Sequence, residues 1–187
     1  MVSSIMNNEL LKRIQWFLYR VTCAENYRKI YKYFCDHEDI QKKLFSVSPG
    51  FYIYISRVLQ HSVMIELARV FEGGRQNYDI NKLLKDIEIS EESFSNTISG
   101  ELFDLNAVVK DYRDALSERK TVIDNLKAQM DKIWMHIDKD YVLNPSQAEK
   151  DYPISWGAVE DLINITELFL RQIEYGINGE RTAMSFF

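Results

Sequence analysis

The sequence predicts an all-α fold, an antiparallel bundle of four to five helices with short accessory helices. Only three prolines and seven glycines interrupt its 187 residues, and they fall between long runs of periodically spaced apolar residues. Such sparse interruption favours a few long helices over many short strands. No segment shows a convincing strand-like alternation of apolar and polar residues. Long helices with short connections pack as an antiparallel bundle.

The first predicted helix covers residues 5 to 35. Its apolar residues recur at helical spacing, which places them on one face that can pack in the bundle. Cys23 and Cys35 also fall on this helix, about 18 Å apart along its axis. That distance is too long for a disulfide between them. The predicted face consists of Leu10, Ile14, Phe17, Val21, Ala24, Tyr31 and Cys35.

The second predicted helix begins at "SPG" and ends at Gly73-Gly74. Ser48 can cap its first turn and Pro49 suits the first helical position. It is apolar almost all round, which is typical of a central, largely buried helix. After it, Asp79 can cap a short helix that runs through Ile87. Ser90 can open a turn that ends near Gly100.

Residues 101 to 138 carry the most regular apolar pattern, and only Arg119 breaks it. The pattern predicts one long helix, or two nearly collinear ones, packed lengthwise against neighbours. The stretch "VLNPSQAEKDYP" is predicted to be a loop, and a last helix is expected at about 156 to 175. The long seam is Leu102, Leu105, Val109, Tyr112, Leu116, Ile123, Leu126, Met130, Ile133 and Ile137. The last helix is expected to bury Val159, Leu162, Ile163, Leu168, Phe169 and Ile173.

Composition indicates one globular domain over residues 1–187, because 46% of the residues are apolar and 27% are charged. The net charge of −5 disfavours general coating of nucleic acid, although a local basic groove remains compatible with it. No apolar run is long enough to cross a bilayer, and the first residues do not resemble a secretion signal. We therefore expect a cytoplasmic protein that does not associate with membranes.

The stretch "AQMDKIWMHIDKD" holds the strongest candidate for chemistry, His136. Lys132 and Asp140 lie four residues to either side, so all three can share one helix face. A histidine beside charges of both signs can transfer protons near neutral pH. The alternative is an ordinary solvated histidine at a helix end. A metal site that uses Asp131, His136, Asp138 and Asp140 is not expected, since no second histidine lies nearby in sequence.

Two further features are weaker candidates. "YRKIYKYF" interleaves Arg28, Lys29 and Lys32 with aromatic residues, a composition that can stack bases and hold phosphates. The same stretch also fits an amphipathic helix with a solvated basic rim. His61, near Arg57, can approach His136 in the fold or serve as a hydrogen-bonded core histidine.

"MDKIWMHIDKD", with the preceding long helix and the following "YPISWGAVEDLINITELF", resembles the HEPN superfamily, and within it the AbiU-like branch allied to phage abortive infection. "SRVLQHSVMIELARVFE" and "YDINKLLKDI" resemble that branch's second helix and the short helix after it. The resemblance implies a HEPN-like core at about 50–175, with the helix at 5–35 packed on it. It covers most of residues 50 to 175.

The resemblance implies RNA cleavage without a metal or other cofactor. In active members an Arg and a His act on the ribose 2′-hydroxyl and the phosphate, usually in a groove between two protomers. The His position corresponds to His136 and the polar neighbour of the Arg corresponds to Asp131. The Arg position itself is occupied by Met130, which offers no cation and no donor. Lys132 can supply a charge, without the planar bidentate contact of Arg.

The resemblance therefore implies a bacterial phage-defence or toxin–antitoxin protein directed at RNA. Its endoribonuclease motif is incomplete, so activity is expected to be weak or lost. The alternative is a non-catalytic helical module for dimerisation or partner binding. The expected partners are a second copy of the chain, with residues 101 to 138 near the interface, and RNA or a cognate antitoxin protein.

Overall fold

The computed structural model describes residues 2–72, 79–89, 97–98, 101–102, 104–135 and 145–178. A π-helical segment, Met130–Met135, continues directly from α6, and a short antiparallel ladder joins β1 to β2. These elements confirm the predicted all-α fold class. The elements in chain order are α1 (Val2–Asp36), α2 (Glu38–Val47), α3 (Pro49–Phe71), α4 (Ile80–Ile89), β1 (Thr97–Ile98), β2 (Glu101–Leu102), α5 (Leu105–Glu118), α6 (Lys120–Gln129), α7 (Pro145–Asp151) and α8 (Trp156–Asn178).

Helix α1 is the central element and packs lengthwise against α3 and α8. Arg20 of α1 forms an ion pair with Glu66 of α3. Eleven residues further along α1, the hydroxyl of Tyr31 accepts a hydrogen bond from Gln60, which lies earlier in α3. The two helices therefore run in opposite directions. The buried apolar residues of α1 are Leu10, Ile14, Phe17, Leu18, Val21 and Ala24.

Three arginines of α1, spaced seven or eight residues apart, each contact a different helix. The side chains of Arg13 and Arg28 are largely buried, so each needs a carboxylate partner, and Arg28 is also paired with Glu25 of α1 itself. Because the three partners lie on three helices, the ion pairs fix the rotation of α1 about its own axis. The pairs are Arg13 with Asp86 of α4 at 2.5 Å, Arg20 with Glu66 of α3 at 2.9 Å, and Arg28 with Glu160 of α8 at 3.2 Å.

Short polar side chains cap the helices where the chain turns. The predicted caps are confirmed, since Ser48 accepts a hydrogen bond from the Phe51 amide and Asp79 accepts one from the Asn81 amide. Asp104 caps α5 in the same way through the amide of Ala107. Helix α5 therefore begins at residue 105. The expectation that Leu102 starts the long helix is wrong, because Leu102 pairs with Thr97 in the ladder.

The long helical run of residues 105–129 is broken at Arg119, where the predicted apolar register fails. Helix α5 ends at Glu118 and α6 begins at Lys120. The Arg119 guanidinium donates to the carbonyl of Ala115, which is one of the last carbonyls of α5, and to Asp161 of α8. The run therefore forms two helices and not one. Arg119 satisfies the helix end and attaches it to α8.

Other expectations require correction. Only six of the 23 residues of α3 are buried, all from Leu59 onward, so the helix is not largely buried, and α1 occupies the central place instead. Cys35 was expected in the packed face of α1 but is exposed. Leu168 was expected in the core, yet it is 61% exposed because Thr166, Phe169 and Leu170 occupy the inward face of α8. The predicted loop "VLNPSQAEKDYP" contains the short helix α7.

Gly73, Gly74, Ser90 and Gly100, which were expected to end or open elements, lie outside the described residues. So does Ile137, at the end of the predicted seam. None of the helices described here is long and apolar enough to cross a membrane.

The buried contact between α5 and α8 centres on Tyr112. Its ring stacks on Phe169 with centroids 4.0 Å apart, and its hydroxyl donates to Thr166 Oγ1 at 3.0 Å. Burial raises the pKa of the Tyr112 phenol far above its ordinary value. The phenol therefore stays protonated and keeps its hydrogen bond throughout the physiological pH range.

We predict that Tyr112→Phe lowers the free energy of unfolding by about 1–2 kcal/mol, because it leaves the Thr166 hydroxyl buried without this donor. The ring stack on Phe169 is kept, so the loss reports the hydrogen bond alone. The double variant Tyr112→Phe, Thr166→Val should lose less than the sum of the single variants in urea unfolding. Additive losses would contradict the coupling.

Candidate functional site

The stretch that carries the sequence motif adopts an uncommon backbone. Residues Met130–Met135 form a π-helix directly after α6. π-helical turns within α-helices are rare, and those that do occur are often found at functional sites. The segment packs against α3 and α7. The motif therefore begins where regular helical geometry ends.

The side chains at the start of the motif differ in exposure. Met130 is only 8% exposed and belongs to the central apolar cluster with Ile123 and Leu126. Asp131 is exposed and Lys132 is half-buried. Met130 is therefore a core residue, while the next two residues, Asp131 and Lys132, are more exposed.

His136, with Asp138 and Asp140, lies outside the described residues. Among the described residues, no group of three His, Cys, Asp or Glu side chains is placed to hold a metal ion.

A cleft of about 490 Å³ lies between α3, the end of α6, α7 and the start of α8. The π-helical segment packs against two of these elements, α3 and α7, so the cleft lies beside the motif. The lining combines apolar surface with amides, one carboxylate and one imidazole. The lining residues are Gln60, His61, Met64, Gln129, Glu149, Pro153, Ile154, Ser155 and Trp156.

Hydrogen bonds from α6 shape one side of the cleft. Asn125 donates to the carbonyl of Pro153 at 2.9 Å, and Gln129, one turn later, donates to the carbonyl of Tyr152 at 2.6 Å. These two bonds hold the strand-like connection between α7 and α8 against α6. Gln129, which directly precedes Met130 in the sequence, thus has its side chain fixed at the lining of the cleft.

Aromatic and amide contacts fix the opposite side. The indole of Trp156 stacks on Tyr31 of α1, with centroids 4.9 Å apart and planes inclined by 26°. The Tyr31 hydroxyl accepts a hydrogen bond of 2.6 Å from Gln60. Three helices therefore hold this wall, and one of them, α1, lies far from the motif in sequence.

His61 is the titratable group of the cleft that can change charge near neutral pH. Its pKa lies below its ordinary value, because burial disfavours the imidazolium and the guanidinium of Arg57 adds repulsion. The ring is therefore largely neutral at pH 7 and can both donate and accept a hydrogen bond. Glu149, on α7, brings an exposed carboxylate to the same cleft.

The cleft suits a partly apolar ligand that also forms hydrogen bonds. A neutral imidazole and two amides can bond the edges of a base or the hydroxyls of a ribose, and Trp156 and Met64 offer apolar surface. The lining residues carry no Lys or Arg. Any positive charge that binds phosphate would therefore have to be supplied by residues outside the lining of the cleft.

The basic stretch of α1 lies next to Tyr31, but its residues are not equally available. Arg28 is 9% exposed and forms ion pairs with Glu25 and Glu160. Lys29 is exposed and lies 3.4 Å from Glu25. Lys32 is exposed as well. Their role in RNA binding stays a prediction, and the two lysines are better placed for it than Arg28.

A second cleft, of about 330 Å³, lies between α4 and the junction of α5 and α6. Two of its cations are neutralised within the chain, Arg113 by Glu88 and Lys120 by Asp124. Its lining contains no histidine, so this cleft offers a weaker basis for acid–base chemistry.

Sequence reasoning named His61 but missed the rest of the cleft. Gln129, Glu149 and Trp156 come from separate elements, and no spacing along the chain joins them. One local signal was available, because Asn144-Pro145 is a typical helix start and marks α7. This signal predicts a helix, and not a loop, at Glu149.

We predict that His61 makes the folded state less stable as the pH falls. Because its pKa is lowered on folding, the unfolded chain takes up the proton first, and stability is lost as the pH drops from about 7 through about 6. His61→Gln removes this contribution. The melting temperature of the variant should therefore fall less steeply than that of the wild type between these pH values. Parallel curves for the two proteins would contradict the prediction.

Comparison with known proteins confirms the family that the sequence resembles. A family model described as AbiU2, of the HEPN group, matches residues 5–187. The searches of curated proteins and of solved structures returned no match. The family match extends beyond the resemblance at 50–175 and includes α1, whose Tyr31 supports the cleft wall. The chain belongs to the AbiU2 family of HEPN-like abortive-infection proteins.

Proposed function

We propose that this AbiU2-family protein acts on RNA in bacterial phage defence, as part of a toxin–antitoxin type of system. Its metal-independent endoribonuclease activity is weak or lost. His136 is the residue that would assist the 2′-hydroxyl of the ribose, with Asp131 and Lys132 beside it. Such a reaction releases a 5′-hydroxyl and a 2′,3′-cyclic phosphate and needs no cofactor.

The observation that carries the proposal is the burial of Met130. An arginine at the motif position would meet a phosphate with two parallel hydrogen bonds and a fixed positive charge. Met130 has neither, and at 8% exposure its thioether is part of the apolar core. The loss of one positioned charge in an active site commonly lowers the rate by a factor of about a hundred or more. Lys132, half-buried two residues later, is a partial substitute.

The cleft beside the motif supports RNA as the ligand. Its amides and the neutral His61 match the hydrogen-bonding edges of unpaired bases and the 2′-hydroxyl that distinguishes RNA from DNA. Lys29 and Lys32 are exposed on the two turns of α1 around Tyr31, where they can attract the phosphate backbone. Bases would thus bind in the cleft, while Lys29 and Lys32 would attract the phosphates.

A second candidate function is a non-catalytic module that binds a partner, such as a cognate antitoxin, or a second copy of the chain. Exposed apolar residues near the junctions of α1, α2 and α3 favour it, among them Phe51 and Tyr54. The two functions are compatible, because those residues lie outside the lining of the cleft.

We predict that the purified protein binds single-stranded RNA and cleaves it slowly at most. Cleavage in the presence of EDTA should leave 2′,3′-cyclic phosphate ends, and His136→Ala should abolish whatever cleavage the wild type shows. Lys32→Ala should weaken binding and make it less dependent on salt. Binding is measured by fluorescence anisotropy and cleavage by gel analysis of labelled RNA. Absence of RNA binding would refute the RNA proposal, and rapid cleavage dependent on His136 would refute the loss of activity.

Restoring a cation tests the role assigned to position 130. Met130→Arg should raise the cleavage rate at least tenfold if the missing guanidinium limits the rate, at about 1.4 kcal/mol for each tenfold step. The variant also inserts a charge into the core, so its folding is checked by circular dichroism. Gln129→Arg introduces the same group at the cleft wall without entering the core. No gain in either folded variant would contradict this role.

A further inference from the structure

One end of the molecule, residues 29–58, contains no buried residue. It comprises the last two turns of α1, all of α2 and the first turns of α3, and we call it the helical tip. Because α1 and α3 are antiparallel and α2 joins them, these pieces meet at the same end of the bundle. Arg28 on one side and Leu59 on the other are the nearest buried residues.

The tip is nevertheless rich in apolar side chains. Half of its thirty residues are apolar, slightly more than the 46% of the whole chain, although none of them is buried. The large apolar residues that it exposes most are Ile30 at 45%, Tyr33 at 50%, Phe45 at 51%, Val47 at 86%, Phe51 at 54%, Ile53 at 47% and Tyr54 at 66%.

The exposed area is large enough for a stable association. The four aromatic side chains bury about 150–250 Å² each when fully covered, so at about half exposure they present roughly 450 Å², and the three smaller aliphatic ones raise the sum to roughly 700 Å². A monomer usually exposes an apolar patch of about 300–600 Å² at most. A standard protein interface covers about 800 Å² on each partner. The tip therefore approaches the area of one side of a dimer.

The outer surface of α5 and α6 is different. Their apolar seam is turned inward, where Val109, Tyr112 and Leu126 are buried. Their exposed positions are mostly charged or polar, as at Lys110, Asp111 and Asp124 and their neighbours. The described part of the seam, from Leu105 to Met130, is thus packed within one chain, whereas the tip exposes seven large apolar side chains.

We propose that the helical tip is the interface of a homodimer, covered by the tip of a second copy. This inference gives a location to the homodimer expected for the protein, and it does not depend on RNA cleavage. A two-fold axis beside the middle of α2 would set two α2 helices antiparallel. Each tip would then cover the apolar residues of the other.

The charges of α2 indicate a second copy as the occupant. Glu38 and Asp39 come first, and Lys42 and Lys43 follow after two uncharged residues; all four side chains are exposed. An antiparallel copy centred between residues 40 and 41 places Glu38 opposite the partner's Lys43, and Asp39 opposite the partner's Lys42. The same surface is therefore complementary to itself, as a two-fold interface requires. The pair of Glu38 with Lys42 within one chain is highly exposed and exchanges partners at little cost.

The first test disrupts the apolar part of the tip. Val47→Glu, Tyr54→Glu places two carboxylates on exposed positions, so folding should be preserved. We expect sedimentation velocity to show a dimer for the wild type and at least a hundredfold weaker association for the variant. The matched controls, Ile89→Glu and Leu168→Glu, alter residues of similar exposure on α4 and α8, and should leave the dimer intact.

The second test reverses charges on α2. Glu38→Lys, Asp39→Lys makes its charged surface wholly basic, and Lys42→Glu, Lys43→Glu makes it wholly acidic. Each variant alone should associate more weakly than the wild type, because like charges face each other across the axis. An equimolar mixture should recover a one-to-one dimer. Failure of the mixture to associate would refute the antiparallel pairing.

The outcomes separate this inference from the broader expectations. A wild-type monomer at high concentration refutes both the homodimer and its location. A dimer that the tip variants leave intact refutes the location alone and means that the interface lies on another surface. A monomer that binds phospholipid vesicles or an antitoxin protein through the tip also refutes the second copy as occupant. RNA binding is measured on the wild type and on Val47→Glu, Tyr54→Glu, which retains Lys29 and Lys32, and it reports on the proposed function.

Discussion

The packing of α1 between α3 and α8 is the constraint on which the other parts of the structure depend. Apolar side chains on one face of α1 supply most of the favourable burial. The three arginines add directed contacts, since each reaches a carboxylate on a different helix. Once α1 is fixed, Tyr31 meets both Trp156 and Gln60, and the wall of the cleft is formed. The stability of the bundle and the shape of the candidate site therefore share one element.

The same arrangement explains why the cleft and the tip differ in character. Toward the middle of α1, neighbouring helices cover every apolar side chain on its inward face. Beyond Tyr31, which stacks on Trp156 at the start of α8, helix α1 extends past α8, and α2 follows it in the chain. The cleft wall, held by this stack and by hydrogen bonds, thus lies beside the tip, whose apolar side chains are exposed.

Sequence patterns predicted what is local. Helical spacing identified the α1 face from Leu10 to Ala24, short polar residues located two helix starts, and Arg119 marked the division between α5 and α6. What they missed depends on neighbours distant in sequence. Leu168 has the apolar character of a core residue, but the hydrogen bond of Tyr112 to Thr166 selects another face of α8. The cleft joins residues from four elements, which no spacing along the chain connects. The sequence of a helix that is apolar all round, such as α3, does not show which half of the helix is buried by its neighbours.

The π-helical turn at Met130–Met135 has a consequence for how the motif is aimed. An α-helix advances by about 100° for each residue, so regular continuation of α6 would dictate the direction of every later side chain. A π-turn admits one more residue per hydrogen-bonded loop and thereby resets that angular phase. The position of Met130 in the core therefore does not fix, through α-helical periodicity, the positions of the exposed Asp131 and the half-buried Lys132 that follow it.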